Sequence, residues 1–281
     1  MGKRLDGRTV SSELKENIRS EVEFLRERKG VIPHLAVIIV GNHPASETYV
    51  QNKHRACEEV GIRSTVIQLP ADITEQALIQ DIQKLNEDAA VNGILVQLPL
   101  PAHIDSQTII QSIAPAKDVD GFHPLNVGRL SLGLNGIVPC TPMGIMTLLE
   151  QEHIDLAGKH VVILGRSDIV GKPMAQLCLA KHATVTMCHS RTENLSMFTQ
   201  MADILIVAIG KPQFVTAEMV KEGAVVIDVG INRNETGKLV GDVDFDQVEP
   251  KASYITPVPG GVGPMTIATL LSNTLKCRHL A

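Results

Sequence analysis

Short runs of Val, Ile and Leu alternate along the whole chain with segments of helical period. Runs such as "HLAVIIVG" (34–41) and "ADILIVAIG" are apolar at successive positions instead of every second one. That pattern suits strands buried on both faces, as in a parallel sheet covered by helices. The first half reads as a helix over 9–29, a strand at 34–41 and a helix over 45–60 stopped by Gly61. A strand "STVIQLP" (64–70), a helix over 74–88 capped by Thr74 or Asp72, and a strand "NGILVQLPLP" (92–101) follow. Residues 102–138, rich in Pro, Gly and Asp, have the composition of a connector, with a charged cluster "KDVDG" inside it. A helix from Thr141 to about His153 opens the second half, whose strands read "HVVILG", "TVTMCHS", "ADILIVAIG", "AVVIDVG" and "ASYITPVPG". There is no internal repeat. The expectation is an α/β fold: two α/β lobes with a cleft between them, dividing near 138/139.

Composition narrows the function. The 281 residues are 44% hydrophobic and 20% charged, an ordinary globular balance that suits two modest domains. A net charge of −5, with 2% aromatics and no Trp, offers neither a basic footprint nor a stacking surface for nucleic acid. Five scattered cysteines without a C-x-x-C pair point to reduced thiols, with no disulfide framework and no metal site. The apolar runs are too short for a bilayer, and "MGKRLDGRTV" has no signal-peptide core. Asp6 stands where a myristoylation signal wants Ser or Thr. A cytoplasmic protein with no membrane partner is expected.

Three stretches carry chemistry. In "SETYVQNKHRACEEVGI" (46–62), Tyr49 and Lys53 are one turn apart and share a helical face, which serves either catalysis or a wet surface. Strand "HVVILG" runs into "GRSDIVGKPMAQLCLAKH" (165–182), a glycine turn before a helix, which makes an anion cradle although Gly165 and Gly171 do not spell G-x-G-x-x-G. At the end of the next strand, where NAD-binding folds place an acid, stand His189, Ser190, Arg191 and Thr192. A hydroxyl and a guanidinium there suit a 2′-phosphate, so NADP is expected over NAD, with Glu193 close enough to matter if the register shifts. Finally "TPVPGGVGPMT" (256–266) can press backbone groups against a flat ring, as the carboxamide of nicotinamide requires.

"GRSDIVGKP", "PVPGGVGPMT" and the Tyr49–Lys53 pair, together with "VQLPLP" and "KDVDG", closely resemble the bifunctional methylenetetrahydrofolate dehydrogenase/methenyltetrahydrofolate cyclohydrolase family over nearly the whole chain. The resemblance implies a folate-binding catalytic domain over 1–138, joined in space by a final helix at about 269–281. It also implies a Rossmann-type NADP-binding domain over 139–268, and a homodimer. It implies Lys53 as the catalytic lysine with Tyr49 and Gln97 as companions, and Asp120 as the substrate anchor. Substrate would also meet Pro259, Gly260 and Gly261. The dinucleotide would lie on Gly165, Arg166, Ser167, Ser190, Arg191, Ile231 and Thr266.

The implied reactions fit these residue types. Oxidation of 5,10-methylenetetrahydrofolate moves a hydride and needs no proton transfer, because the nitrogen lone pairs stabilise the cationic product. Hydrolysis to 10-formyltetrahydrofolate needs a proton handler. A free lysine holds its proton to about pH 10, so Lys53 acts either as a desolvated base or as a cation that positions water. A pterin edge with two donors suits a carboxylate. Asp120 is preferred for that task, with Asp118 as the alternative or as a turn cap. His123 is read as solvated or structural. A short-chain dehydrogenase also uses Tyr and Lys four apart, but its pair follows the nucleotide turn and here it precedes it. The non-enzymatic alternative is a silent dinucleotide-binding sensor.

Overall fold

The computed structural model describes residues 2–280. Its first elements are β1 (Lys3–Arg4), α1 (Gly7–Lys29), β2 (His34–Val40), α2 (Pro44–Val60), β3 (Arg63–Leu69), α3 (Glu75–Glu87) and β4 (Gly93–Val96). Next come α4 (Ser106–Ser112), α5 (Pro124–Ser131), α6 (Cys140–Gln151), β5 (His160–Leu164), α7 (Gly171–Ala180), β6 (Thr184–Cys188), α8 (Leu195–Thr199) and β7 (Ile204–Val207). The chain ends with β8 (Val225–Asp228), β9 (Asn232–Arg233), β10 (Leu239–Val240), α9 (Phe245–Val248), β11 (Tyr254–Ile255) and α10 (Val262–Leu280).

Contacts divide the chain into two compact units. One contains Glu13–Cys140 and the chain from Ile267 onward; the other contains the chain up to Ser12 and Thr141–Thr266. Residues before Glu13, expected with the folate domain, therefore belong with the other unit. The reason is β1, which pairs in parallel with β11 through Lys3–Tyr254 and Arg4–Ile255.

In the unit built on Glu13–Cys140, β3, β2 and β4 form a parallel sheet in that order. Every residue of β2 is buried, and alternate side chains enter different cores. Leu35, Val37 and Ile39 pack with Ile18, Val22, Val50, Val60, Leu271 and Leu275. Ala36, Ile38 and Val40 pack with Leu78, Ile82, Ile109 and Ile113. The continuous apolar run thus reports helices on both faces. Gly61, at φ 79°, ends α2 with its N–H on Glu58 O, and Thr74 Oγ1 caps α3 by accepting from Ala77 N at 3.2 Å.

The other unit carries a six-stranded parallel sheet ordered β1-β11-β8-β7-β5-β6, with the hairpin β9–β10 outside it. In β5, Val161 and Ile163 enter the core shared with Ile145 and Leu148, while Val162 and Leu164 enter the one shared with Leu205 and Val226. β6 and β7 flank β5 on opposite sides, so the strand order reverses there. In such sheets the carboxyl ends of the strands at this reversal are where ligands bind.

Two expectations change. The strand expected at 92–101 stops at Val96, because Pro99 and Pro101 have no N–H to extend the ladder. The connector 102–138 contains two helices, α4 and α5.

Candidate active site

Within the unit of Glu13–Cys140, α2 follows the carboxyl end of β2, and Gln97 follows the carboxyl end of β4. Gln97 N still donates to Ile38 O at 2.8 Å, which fixes its backbone against the sheet. Its side chain accepts from Lys53 Nζ at 2.9 Å through Oε1 and donates to Leu98 O at 2.6 Å through Nε2. The amide is therefore oriented by two partners of opposite kind. Lys53 is half-buried, while Tyr49 is 43% exposed on the same helix. The sequence-expected Lys53 and Gln97 meet directly.

Asp120 joins them electrostatically. Burial pushes its carboxyl up to about 6, the Lys53 amine opposes that shift, and the Asp118 carboxylate adds to it. The two carboxylates differ in their partners. Asp118 is buried and accepts from Gly121 N, His123 N and Asn126 Nδ2 at 3.1, 2.8 and 2.9 Å. It is occupied by its own turn, whereas Asp120 accepts no hydrogen bond among the described residues. Gly121 sits at φ 71°, and a Cβ there would lie 2.8 Å from Pro139 N, so the turn requires glycine. His123 caps α5 by accepting from Leu125 N through Nδ1 at 3.0 Å, a structural task.

Three residues of this cluster were not anticipated. Asn273, on α10, donates to Val119 O and Val138 O, both at 2.9 Å, and holds the segment next to Asp120. Cys140 lies against the same amide at 3.5 Å, with its thiol pushed well up by burial and by the Asp120 carboxylate. Lys117 is buried and donates to Leu85 O, Asn86 O and Asp88 O at 3.0, 2.8 and 2.8 Å, closing the end of α3. No local signal marks Asn273, because its partners are remote in sequence. Lys117 opens the "KDVDG" cluster, from which only Asp118 and Asp120 were read.

In the other unit, Gly165 leaves β5 at φ 127°, and a Cβ there would lie 2.3 Å from Ala208 O. A Cβ on Gly171 would lie 2.3 Å from Gly165 O. Ser167 Oγ accepts from Val170 N and Gly171 N at 3.2 and 3.4 Å, so it shares donors at the start of α7 that were expected to face an anion. Arg166 is exposed beside it. Ser190 and Arg191 are exposed after β6, on a turn in which Arg191 N donates to His189 Nδ1 at 3.1 Å. Ile231 is 49% exposed, and Thr266 Oγ1 shares a 3.0 Å hydrogen bond with Thr141 Oγ1. Pro259 is exposed, while Gly260 and Gly261 are buried against the start of α1. A Cβ on Gly7 would meet Gly261 O at 1.8 Å.

The catalytic domain of the tetrahydrofolate dehydrogenase/cyclohydrolase family matches residues 5–120, and the family's NAD(P)-binding domain matches residues 139–281. The chain belongs to this family. The bifunctional protein FolD of Anoxybacillus flavithermus is 57% identical over 272 residues, covering 97% of this chain and 96% of that protein. The crystal structure of the bifunctional FolD methylenetetrahydrofolate dehydrogenase/cyclohydrolase from Campylobacter jejuni superposes with a TM-score of 0.98 at 55% identity, covering 99% of both chains. A Trypanosoma brucei FolD complexed with NADP cofactor and inhibitor gives 0.95 at 42% identity, over 99% of this chain and 97% of that one. Nothing in these likenesses supports the silent sensor.

The tetrahydrofolate dehydrogenase/cyclohydrolase family uses a dinucleotide, and the residues here fit one. The two glycines let backbone pack directly on backbone at the exit of β5, so the turn and the start of α7 lie close together at the strand-order reversal, where a pyrophosphate would meet main-chain N–H groups.

Proposed function

We propose that Lys53, Gln97, Asp120 and Tyr49 form the folate site of a bifunctional enzyme whose cofactor is NADP. It oxidises 5,10-methylenetetrahydrofolate to 5,10-methenyltetrahydrofolate and hydrolyses that product to 10-formyltetrahydrofolate. The observation that carries the reading is the 2.9 Å hydrogen bond from Lys53 Nζ to Gln97 Oε1, with Asp120 in electrostatic reach of the same amine.

NADP, when bound, supplies the hydride acceptor. The chain's task in the oxidation is to hold the folate in place and limit competing water. Asp120 meets the two donors of the pterin N–C–N edge with paired hydrogen bonds, and Tyr49 lends its exposed ring face. In the hydrolysis, water oxygen bonds to the one-carbon bridge and gives up both protons as it becomes the formyl oxygen: the carbon–N5 bond breaks, one proton ends on N5, and the other leaves to solvent. Lys53 handles these protons, and Gln97 keeps the amine aimed by accepting from it.

Gly165, Arg166, Ser167, Ser190, Arg191, Ile231 and Thr266 hold the dinucleotide, with Ser190 and Arg191 toward a 2′-phosphate. Pro259, Gly260 and Gly261 supply backbone to the reacting ring. Residues 1–138 with 269–281 are the folate domain and 139–268 the NADP domain in this reading, less the opening strand noted above. The reading extends to a cytoplasmic homodimer supplying 10-formyl groups to purine biosynthesis, for which the family resemblance is the support.

Two rates test it: NADPH formed from 5,10-methylenetetrahydrofolate, and loss of 5,10-methenyltetrahydrofolate without nucleotide. Lys53→Met should lower the second by about a hundredfold or more, the usual scale for a proton-transfer group, with NADP affinity unchanged. An unaltered hydrolysis rate removes Lys53 from the mechanism.

A further inference from the structure

Two buried carboxylates, Asp228 and Asp242, lie within the unit of Thr141–Thr266. Asp228 ends β8, and Asp242 follows β10. Both are buried. Asp242 Oδ2 accepts from Ile209 N and Gly210 N at 2.7 and 2.9 Å, and Oδ1 accepts from Lys211 N at 2.9 Å and Asn232 Nδ2 at 2.8 Å. One side chain therefore gathers the loop leaving β7 and the residue after Ile231. Its own backbone is held in turn, because Asp242 N and Val243 N donate to the Asp228 carboxylate, both at 2.9 Å.

The space for this bracket is built into the sequence. A Cβ on Gly241 would lie 1.8 Å from Asp228 Oδ2, and one on Gly230 would lie 2.3 Å from Asp242 Oδ1. The gathered loop begins at Ala208, whose carbonyl already abuts Gly165 at the exit of β5. Three successive N–H groups aimed at a single carboxylate are turned inward. The Ile209–Lys211 backbone follows the carboxyl end of β7, the neighbour of β5 at the strand-order reversal, and Gly210 and Lys211 are exposed there.

We propose that Asp242 is a positioning residue for the dinucleotide, fixing the Ile209–Lys211 loop and the Ile231–Asn232 segment as one rigid wall of its site. The proposal rests on the placement of NADP in this unit. Asp242→Asn keeps the volume but turns one acceptor into a donor that faces N–H groups, so the loop is released from one side.

The experiment measures NADP dissociation constants by calorimetry, NADP KM and kcat for the oxidation, and nucleotide-free hydrolysis of 5,10-methenyltetrahydrofolate. For Asp242→Asn the NADP dissociation constant and KM should rise about tenfold or more, as for a buried hydrogen bond lost. The kcat at saturating NADP should stay within about threefold and hydrolysis within about twofold of the unsubstituted enzyme. Asp242→Ala should behave alike. Unchanged NADP affinity, or hydrolysis falling in parallel with NADP affinity, overturns the proposal. Ser190→Asp serves as the control. If it weakens NADP while Asp242→Asn does not, the positioning role alone fails; if neither substitution affects NADP, the placement of the cofactor fails as well.

Discussion

Asp120 shows how a single residue acquires a function from its surroundings. Its neighbour Asp118 has the same side chain, yet that carboxylate accepts from Gly121 N and His123 N of its own turn and from Asn126 of α5. Asp120 remains free of such partners and is pushed up to about 6 by burial, with Lys53 pulling the other way. The sign of the consequence follows. Above that value the group is a carboxylate and can accept two hydrogen bonds from a pterin; below it, a proton occupies one of those sites. Because its pKa is raised in the folded state, the buried charge also lowers stability as pH rises from the unfolded carboxyl value through about 6. Folate affinity should therefore strengthen as pH rises between about 5 and 7. Titration of a folate analogue across that range checks it. Asp120→Asn should bind about tenfold or more weakly and show no step. A step that survives in the variant belongs to another group.

At the level of elements, legibility followed the range of the forces. The continuous run of β2, the Gly61 stop and the Thr74 cap depend on neighbours in sequence or on simple burial, and these were readable. β1 was not, since two exposed polar residues become a strand only by pairing with Tyr254 and Ile255. α4 and α5 span 7 and 8 residues amid Pro and Gly, too short for a helical period to stand out. The site shows the same division. Lys53, Gln97 and Asp120 are candidates carried over from a family motif, whereas Asn273 and Asp242 make contacts that no local pattern announces. Lys117 adds a test at this scale. Its amine donates to three carbonyls at the C-terminal end of α3, although burial lowers its affinity for a proton. Lys117→Met keeps most of the volume and leaves those carbonyls unpaired, so unfolding should become easier by about 1–3 kcal/mol. Chemical denaturation measures this; an unchanged midpoint would mean water replaces the amine at no loss.

The whole molecule is organised so that neither unit is a continuous piece of chain. The unit centred on Glu13–Cys140 takes Ile267 onward from the far end, and the other takes the first strand from the near end. Leu271 and Leu275 of α10 pack with Leu35, Val37 and Ile39 of β2, the strand whose carboxyl end leads to Lys53. The last helix is thus part of the support of the candidate folate site, whereas the cores that contain β5 take only Val262 and Met265, from its first turn, among its residues. Truncating both leucines to alanine should destabilise their unit by about 4–8 kcal/mol, less if the neighbouring cavities collapse together. That is comparable with the entire stability of a domain, about 5–15 kcal/mol. Hydrolysis of 5,10-methenyltetrahydrofolate should then fail at a temperature well below that of the unsubstituted enzyme, while calorimetry still detects NADP binding at the original strength. The result that would contradict this is loss of both properties at one temperature, because it would make the two units a single cooperative block instead of two cores that share a chain.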